Sequence, residues 1–118
     1  MTIDHVVRFR PEPEAVRARP GTVLSGDPEQ SVRNVYTDPS GAFSAGIWES
    51  TPGKWPVAYT EEEFCLLLTG TVVLTDEQGQ AETFLAGDAF IIRAGFRGSW
   101  ETVEFVRKYY AVYERPHG

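Results

Sequence analysis

Three consecutive carboxylates, Glu61, Glu62 and Glu63, run directly into the apolar stretch Phe64 to Leu68. A carboxylate carried into a core loses hydration, and an acid in that position can take or give a proton near neutral pH. Neighbouring side chains on a strand point oppositely, so at most two of the three face one side. Glu63 is the candidate acid or base because it opens the apolar run. Glu61 and Glu62 read as a solvated edge. The alternative for Glu63 is a structural carboxylate paired with an arginine or tyrosine across the fold. Cys65 shares its face with Glu63 and is the only cysteine; a free cysteine is most simply a small apolar filler. Arg93, Arg97, Arg107 and Lys108 are candidates to recruit a ligand carboxylate, with Arg93 otherwise a plain surface residue. Histidine occurs only at His5 and His117, near the two ends, where both read as solvated.

The elements that must position these groups are short strands. Turn signals recur every eight to twelve residues: Gly26-Asp27-Pro28, Asp38-Pro39-Ser40-Gly41, Thr51-Pro52-Gly53, Asp76-Glu77-Gln78-Gly79, Gly87-Asp88 and Ala94-Gly95. Between them the sequence predicts strands at 32–36, 42–50, 55–59, 63–69, 71–76, 81–85, 89–93, 99–103 and 106–114. This rhythm belongs to an antiparallel sandwich or barrel, not to alternating strands and helices. Pro11 and Pro13 exclude a regular strand near the N-terminus, and only Glu14 to Arg19 has the pattern for a helical turn. Asp88 reads as a turn-fixing residue.

At 118 residues the chain is one domain long, and 42% hydrophobic with 24% charged residues is the composition of a folded globular domain. A formal charge of −6 repels a phosphate backbone, so nucleic acid is not an expected partner. The longest apolar run is too short to span a bilayer. The start, Met1-Thr2-Ile3-Asp4-His5, lacks a secretory pattern, and one cysteine cannot make an internal disulfide, so the expected compartment is the cytoplasm.

Gly46-Ile47-Trp48-Glu49, Pro52-Gly53-Lys54-Trp55 and Glu63-Phe64-Cys65-Leu66-Leu67-Leu68-Thr69-Gly70 resemble the first half of the cupin superfamily. Gly87-Asp88-Ala89-Phe90-Ile91-Ile92-Arg93-Ala94-Gly95-Phe96-Arg97-Gly98-Ser99-Trp100, followed by Val106-Arg107-Lys108-Tyr109-Tyr110, resembles the second. The Gly-Phe-x-Gly-x-Trp element and the Val-Arg-Lys ending are similar to the small single-domain cupins grouped with the (S)-ureidoglycine aminohydrolase cupin domain. The resemblance covers residues 42 to 113. It implies an all-β fold, a cupin-type antiparallel β-barrel (jelly roll, or double-stranded β-helix) over 42–118, with 1–41 as an arm and first strands packed on it.

Metal-binding cupins take two histidines and a glutamate from the first motif and a third histidine from the second. On the resemblance, Glu63 matches the glutamate, whereas Val57, Tyr59 and Gly98 fall at the histidine positions. Valine and glycine offer no donor and a tyrosine of ordinary pKa is neutral at pH 7, so no metal or other cofactor is expected. Tyr59 becomes a candidate to assist Glu63. Period two puts Gly98, Trp100 and Thr102 on one face, which the resemblance turns inward, so Trp100, Thr102 and the aromatic Trp48 are candidate ligand walls. Arg93 stands where the family usually has proline, and with Arg97 it is a candidate ligand-binding arginine. In 106–114 the inward face is either Lys108, Tyr110, Val112 or Arg107, Tyr109, Ala111, Tyr113.

Three functions follow as alternatives. The first is a small-molecule-binding cupin, as a metal-independent isomerase, lyase or hydrolase acting on a polar or carboxylate-bearing metabolite; it requires an open polar cavity. The second is a non-catalytic binding or scaffold cupin with a filled barrel. The third is a metal-dependent aminohydrolase-like cupin acting on a ureido or amide compound. An exposed sheet edge makes a homodimer the expected assembly.

Overall fold

Alternation in the apolar run decides how the chain packs. In the computed structural model, which describes residues 3–115, Glu63, Cys65 and Leu67 are buried while Phe64 is exposed, the period-two signature of a strand with one face on a core. That run begins β6 (Glu62–Asp76), which pairs along most of its length with the equally long β9 (Arg97–Tyr113). The sequence predicts a break in each of these at Gly70 and at 104–105. Instead each strand continues through a bulge. The register shifts between Leu67 and Val72, and Gly70 takes φ 94° with its Cα pressed on the partner strand, where an added Cβ would lie 2.2 Å from the Phe105 carbonyl oxygen.

The two long, bent strands are shared by two layers. One layer runs through β1 (Val16–Ala18), β3 (Gln30–Thr37), β4 (Phe43–Ser50), the C-terminal half of β9, the N-terminal half of β6 and β8 (Ala89–Ile92). The other runs through β2 (Ser25–Gly26), β5 (Gly53–Ala58), the N-terminal half of β9, the C-terminal half of β6 and β7 (Ala81–Leu85). Every pairing is antiparallel, and the result is an all-β jelly roll. No helix among the described residues is long and apolar enough to cross a membrane.

Trp55, Cys65, Leu67, Val72, Ile92, Trp100 and Val106 form the buried core between the layers. The helical turn predicted for 14–19 is instead β1, held as an extended segment by pairing with the edge of β3: tertiary hydrogen bonding outweighs the weak local helix pattern. The first strands, β1, β2 and β3, belong to the same sheet as the rest. The arm proper lies on the outer face. Phe9 meets the Tyr109 ring edge-on at 5.1 Å, Glu12 pairs with Arg107, and Arg33 Nη1 donates to the Pro13 carbonyl at 2.8 Å.

Candidate ligand site

Because Glu63 and Cys65 face inward on β6, the residues of β9 that oppose them decide what the interior contains. Cys65 is register partner to Tyr110, and Glu63 to Val112. The inward face of that segment is therefore Lys108, Tyr110 and Val112, and Arg107 points outward to Glu12 and Glu49. Lys108 is 3% exposed. Its Nζ lies 2.7 Å from Glu63 Oε2 and 3.3 Å from Cys65 Sγ, and the Cys65 thiol donates to the same Oε2 at 3.3 Å. The ammonium also sits over two indoles, 4.6 Å from the Trp48 ring centroid and 4.4 Å from that of Trp100.

The rings are fixed from behind. Trp48 is register partner to Lys108 across β4 and β9, and its Nε1 donates to Gln30 Oε1 at 3.2 Å. Trp100 Nε1 donates to Thr102 Oγ1 at 3.0 Å, which donates to Ser50 Oγ at 3.2 Å, which donates to the Thr51 carbonyl at 2.7 Å. Trp55 stacks on Trp100 at 6.5 Å. Three mutually packed indoles thus stand together, two of them against the Lys108 ammonium.

Charge states follow from this packing. Burial pushes the Cys65 thiol up to about 12, so it is neither a nucleophile nor a thiolate ligand at neutral pH. Burial works against the charge on Lys108, but the acidic groups around it prevail and hold its pKa above the ordinary value. With Cys65 protonated, Glu63 is the negative group in contact. Burial raises Tyr59 and Tyr110 well above and above 10 respectively, leaving both as neutral hydroxyls. Glu61 is raised too, by burial first and then by Glu114 and Glu63.

A cavity of about 670 Å³ opens beside the pair, between β3 and β4 on one side and β5 on the other. Trp48, Trp55, Trp100, Tyr59 and Tyr110 line it, with Lys108, Glu61 and Glu63 as its charged groups. Among the described residues both hydrogen bonds of Glu63 fall on Oε2, which leaves Oε1 as the oxygen for a ligand.

Of the residues singled out in sequence, Glu63, Tyr59, Trp48 and Trp100 meet at this cavity. Thr102 lies behind Trp100 as its hydrogen-bond acceptor and is 1% exposed. Arg97 is outside, 3.6 Å from Glu77, and Arg93 borders a separate depression by β7 and β8 lined by the stacked Phe84 and Phe90. Among the described residues no arginine lines the cavity beside Lys108 and Glu63. Glu61, read as a solvated edge, lines it, whereas Glu62 is exposed and accepts from the Ala94 amide at 2.5 Å. Trp55, beside Lys54 on β5, is part of the buried core. His5 is exposed and His117 lies outside the described residues.

Lys108 is the functional residue that sequence reasoning left undecided, and a signal for it exists. Trp100, Thr102, Val106, Lys108, Tyr110 and Val112 share one parity, so a single strand from 97 to 113 carries the inward face of Trp100 through to Lys108.

The donor set does not fit a metal ion. Val57 and Gly98 are register partners, and a Cβ at Gly98 would lie 1.9 Å from the Thr75 carbonyl oxygen, so that position admits no side chain. Tyr59 is a neutral phenol, Cys65 a neutral thiol, and the one carboxylate at the centre already faces an ammonium that repels a second cation. Among the described residues no three His, Cys, Asp or Glu side chains are grouped to hold a metal.

Residues 37–110 match the family model described as the EutQ-like cupin domain. Among solved structures, a protein of unknown function of the DUF861 family from Pseudomonas syringae pv. tomato superposes with a TM-score of 0.75 at 28% identity, over 84% of this chain and 44% of that one. The present chain thus spans less than half the length of that relative. A putative ethanolamine utilization protein Q from Salmonella typhimurium gives 0.65 at 22% identity, over 74% of this chain and 71% of its own. A DUF861 family protein from Thermotoga maritima gives 0.53 at 34% identity, over 54% and 73%. No protein of curated function matches the chain.

Proposed function

The chain belongs to the EutQ-like cupin domain family, and from that premise we propose that it binds a small amide-bearing metabolite in its barrel without a metal ion. The observation that carries this is the Lys108–Glu63 pair, 2.7 Å apart at the wall of the cavity. An ammonium beside a carboxylate presents a donor next to an acceptor. An amide or ureido group offers the complement, a carbonyl oxygen to accept from Lys108 and an N–H to donate to Glu63 Oε1. Its flat face matches the indole walls of Trp48 and Trp100.

Charge narrows the class. Lys108 is cancelled by Glu63, and Glu61 adds no positive charge, so a carboxylate ligand gains no net attraction in this cavity. This reading keeps the amide and ureido substrates suggested by the resemblance to the ureidoglycine aminohydrolase group and drops the metal-dependent chemistry. In an enzymatic version Lys108 polarises the carbonyl, as a fixed cation does, and Glu63 becomes a base only when the ligand draws Lys108 away from it. A filled barrel is disfavoured by the size of the cavity. A homodimer is part of the same proposal: Phe64 and Ile91, register partners on the outer face, are 41% and 58% exposed, and light scattering tests it.

Calorimetric titration with primary amides and ureas tests the binding. Wild-type protein should bind members of this class, and Lys108→Met should weaken binding about tenfold or more. Absence of binding across the class, or equal affinity in the variant, contradicts the proposal.

A further inference from the structure

Lys108 is the only basic side chain lining the cavity among the described residues, and Glu63 answers its charge. Glu61 is left over. It lines the same cavity partly buried, and among the described residues no ion pair includes it. The charged group beside it is another carboxylate, Glu114, whose Oε2 is held by Thr60 Oγ1 at 2.9 Å. The upward shift of Glu61, from burial and then from Glu114 and Glu63, is the response of an acid with no cation at hand. The nearby walls are aromatic: Tyr59 precedes Glu61 by two residues, and Tyr110 lies across the cavity. Electron-rich rings of this kind already receive an ammonium here, that of Lys108 over Trp48 and Trp100.

Glu61, in the bend that leads into β6, and Glu63 line the same cavity, and with one strand residue between them their Cα atoms lie about 7 Å apart. We propose that the ligand carries, about five bonds from the amide that meets Lys108 and Glu63, a positively charged nitrogen that docks against Glu61 and the tyrosine rings. The substrate class is then a short cationic amide. This deepens the reading of the same cavity as an amide site and rests on it. A carboxylate at that point would instead stand against Glu61, Glu63 and Glu114 together.

The test uses three primary amides on one short alkyl chain, ending in an ammonium, a hydroxyl or a carboxylate, titrated calorimetrically into the wild-type protein and into Glu61→Gln. Expected is the affinity order ammonium, hydroxyl, carboxylate, with Glu61→Gln weakening the ammonium compound about tenfold and leaving the hydroxyl compound within about twofold. Binding of the hydroxyl compound with no preference for the ammonium, or an ammonium affinity that Glu61→Gln leaves unchanged, overturns the cation site while the amide reading stands. Failure of all three to bind overturns both. If Glu61→Gln does not fold, Glu61→Asp takes its place: shortening the side chain should weaken the ammonium compound and spare the hydroxyl compound, and equal effects on both would overturn the cation site.

Discussion

Lys108 and Glu63 lie on neighbouring strands but are not register partners: Lys108 opposes Leu67 and Glu63 opposes Val112. The lysine therefore runs back along β6, past Cys65 Sγ at 3.3 Å, to place Nζ 2.7 Å from Glu63 Oε2. A buried pair of this kind is costly to break from one side, because the remaining charge has neither water nor partner. Lys108→Met should lower stability by about 3–5 kcal/mol. The double variant Lys108→Met/Glu63→Gln should recover part of that loss, so that urea denaturation of the four proteins gives a clearly non-additive cycle. Additive losses would mean that the two side chains do not interact.

Glu61 sets a pH dependence. Its pKa is raised on folding above the ordinary 4.5, so the folded protein holds that proton more tightly than the unfolded chain. Its contribution to stability is present in full below 4.5 and is lost as pH rises through the raised folded-state value. Urea midpoints measured from mildly acidic to neutral pH should fall less for Glu61→Gln than for the wild type, and Glu61→Gln should be the more stable of the two at neutral pH. Parallel pH profiles would show that Glu61 is solvated.

Cys65 has 0% exposure and a thiol pushed up to about 12 by burial. A thiol-specific chromogenic disulfide should leave it unmodified in the native protein and modify it stoichiometrically in denaturant, with any native reaction limited by unfolding. Rapid modification of the native protein would place the thiol on an open surface.

Much of the fold was legible because it is written in local terms. Gly87 and Gly95, with φ of 94° and 98°, stand in the turns that the sequence assigns to them, and alternation from Glu63 to Leu67 gives the inward face of β6. What was not legible depends on pairing across the sheet. The bulges that keep β6 and β9 continuous arise where the two strands meet, and residues 14–19 are extended only because the edge of β3 is there to receive them. The same holds for the site. Glu63 could be named from type and spacing, and Tyr59, Trp48 and Trp100 from the resemblance to the cupins, but treating 99–103 and 106–114 as separate strands broke the parity that carries Lys108 inward. The arginines were candidates by charge alone, and register sends Arg97 and Arg107 outward.

Gly98 tests why no side-chain donor stands at its position. With a Cβ only 1.9 Å from the Thr75 carbonyl oxygen, Gly98→Ala must force β9 from β6. Its stability should drop by about 1–3 kcal/mol or more, the scale of overpacking a closed site. A neutral effect in thermal and urea unfolding would mean that the strands have room for a ligand side chain.

The chain has two lysines, Lys54 and Lys108, so lysine-selective isotope labelling yields two side-chain signals, and the buried one reports directly on the centre of the site. The Lys108 signal should be displaced from that of Lys54 by the ring currents of Trp48 and Trp100, and it should shift in saturable fashion as a primary amide is added while Lys54 stays fixed. A Lys108 signal that coincides with Lys54, or one that stays in place while the amide binds, would contradict an ammonium held at Glu63 as the ligand-binding group.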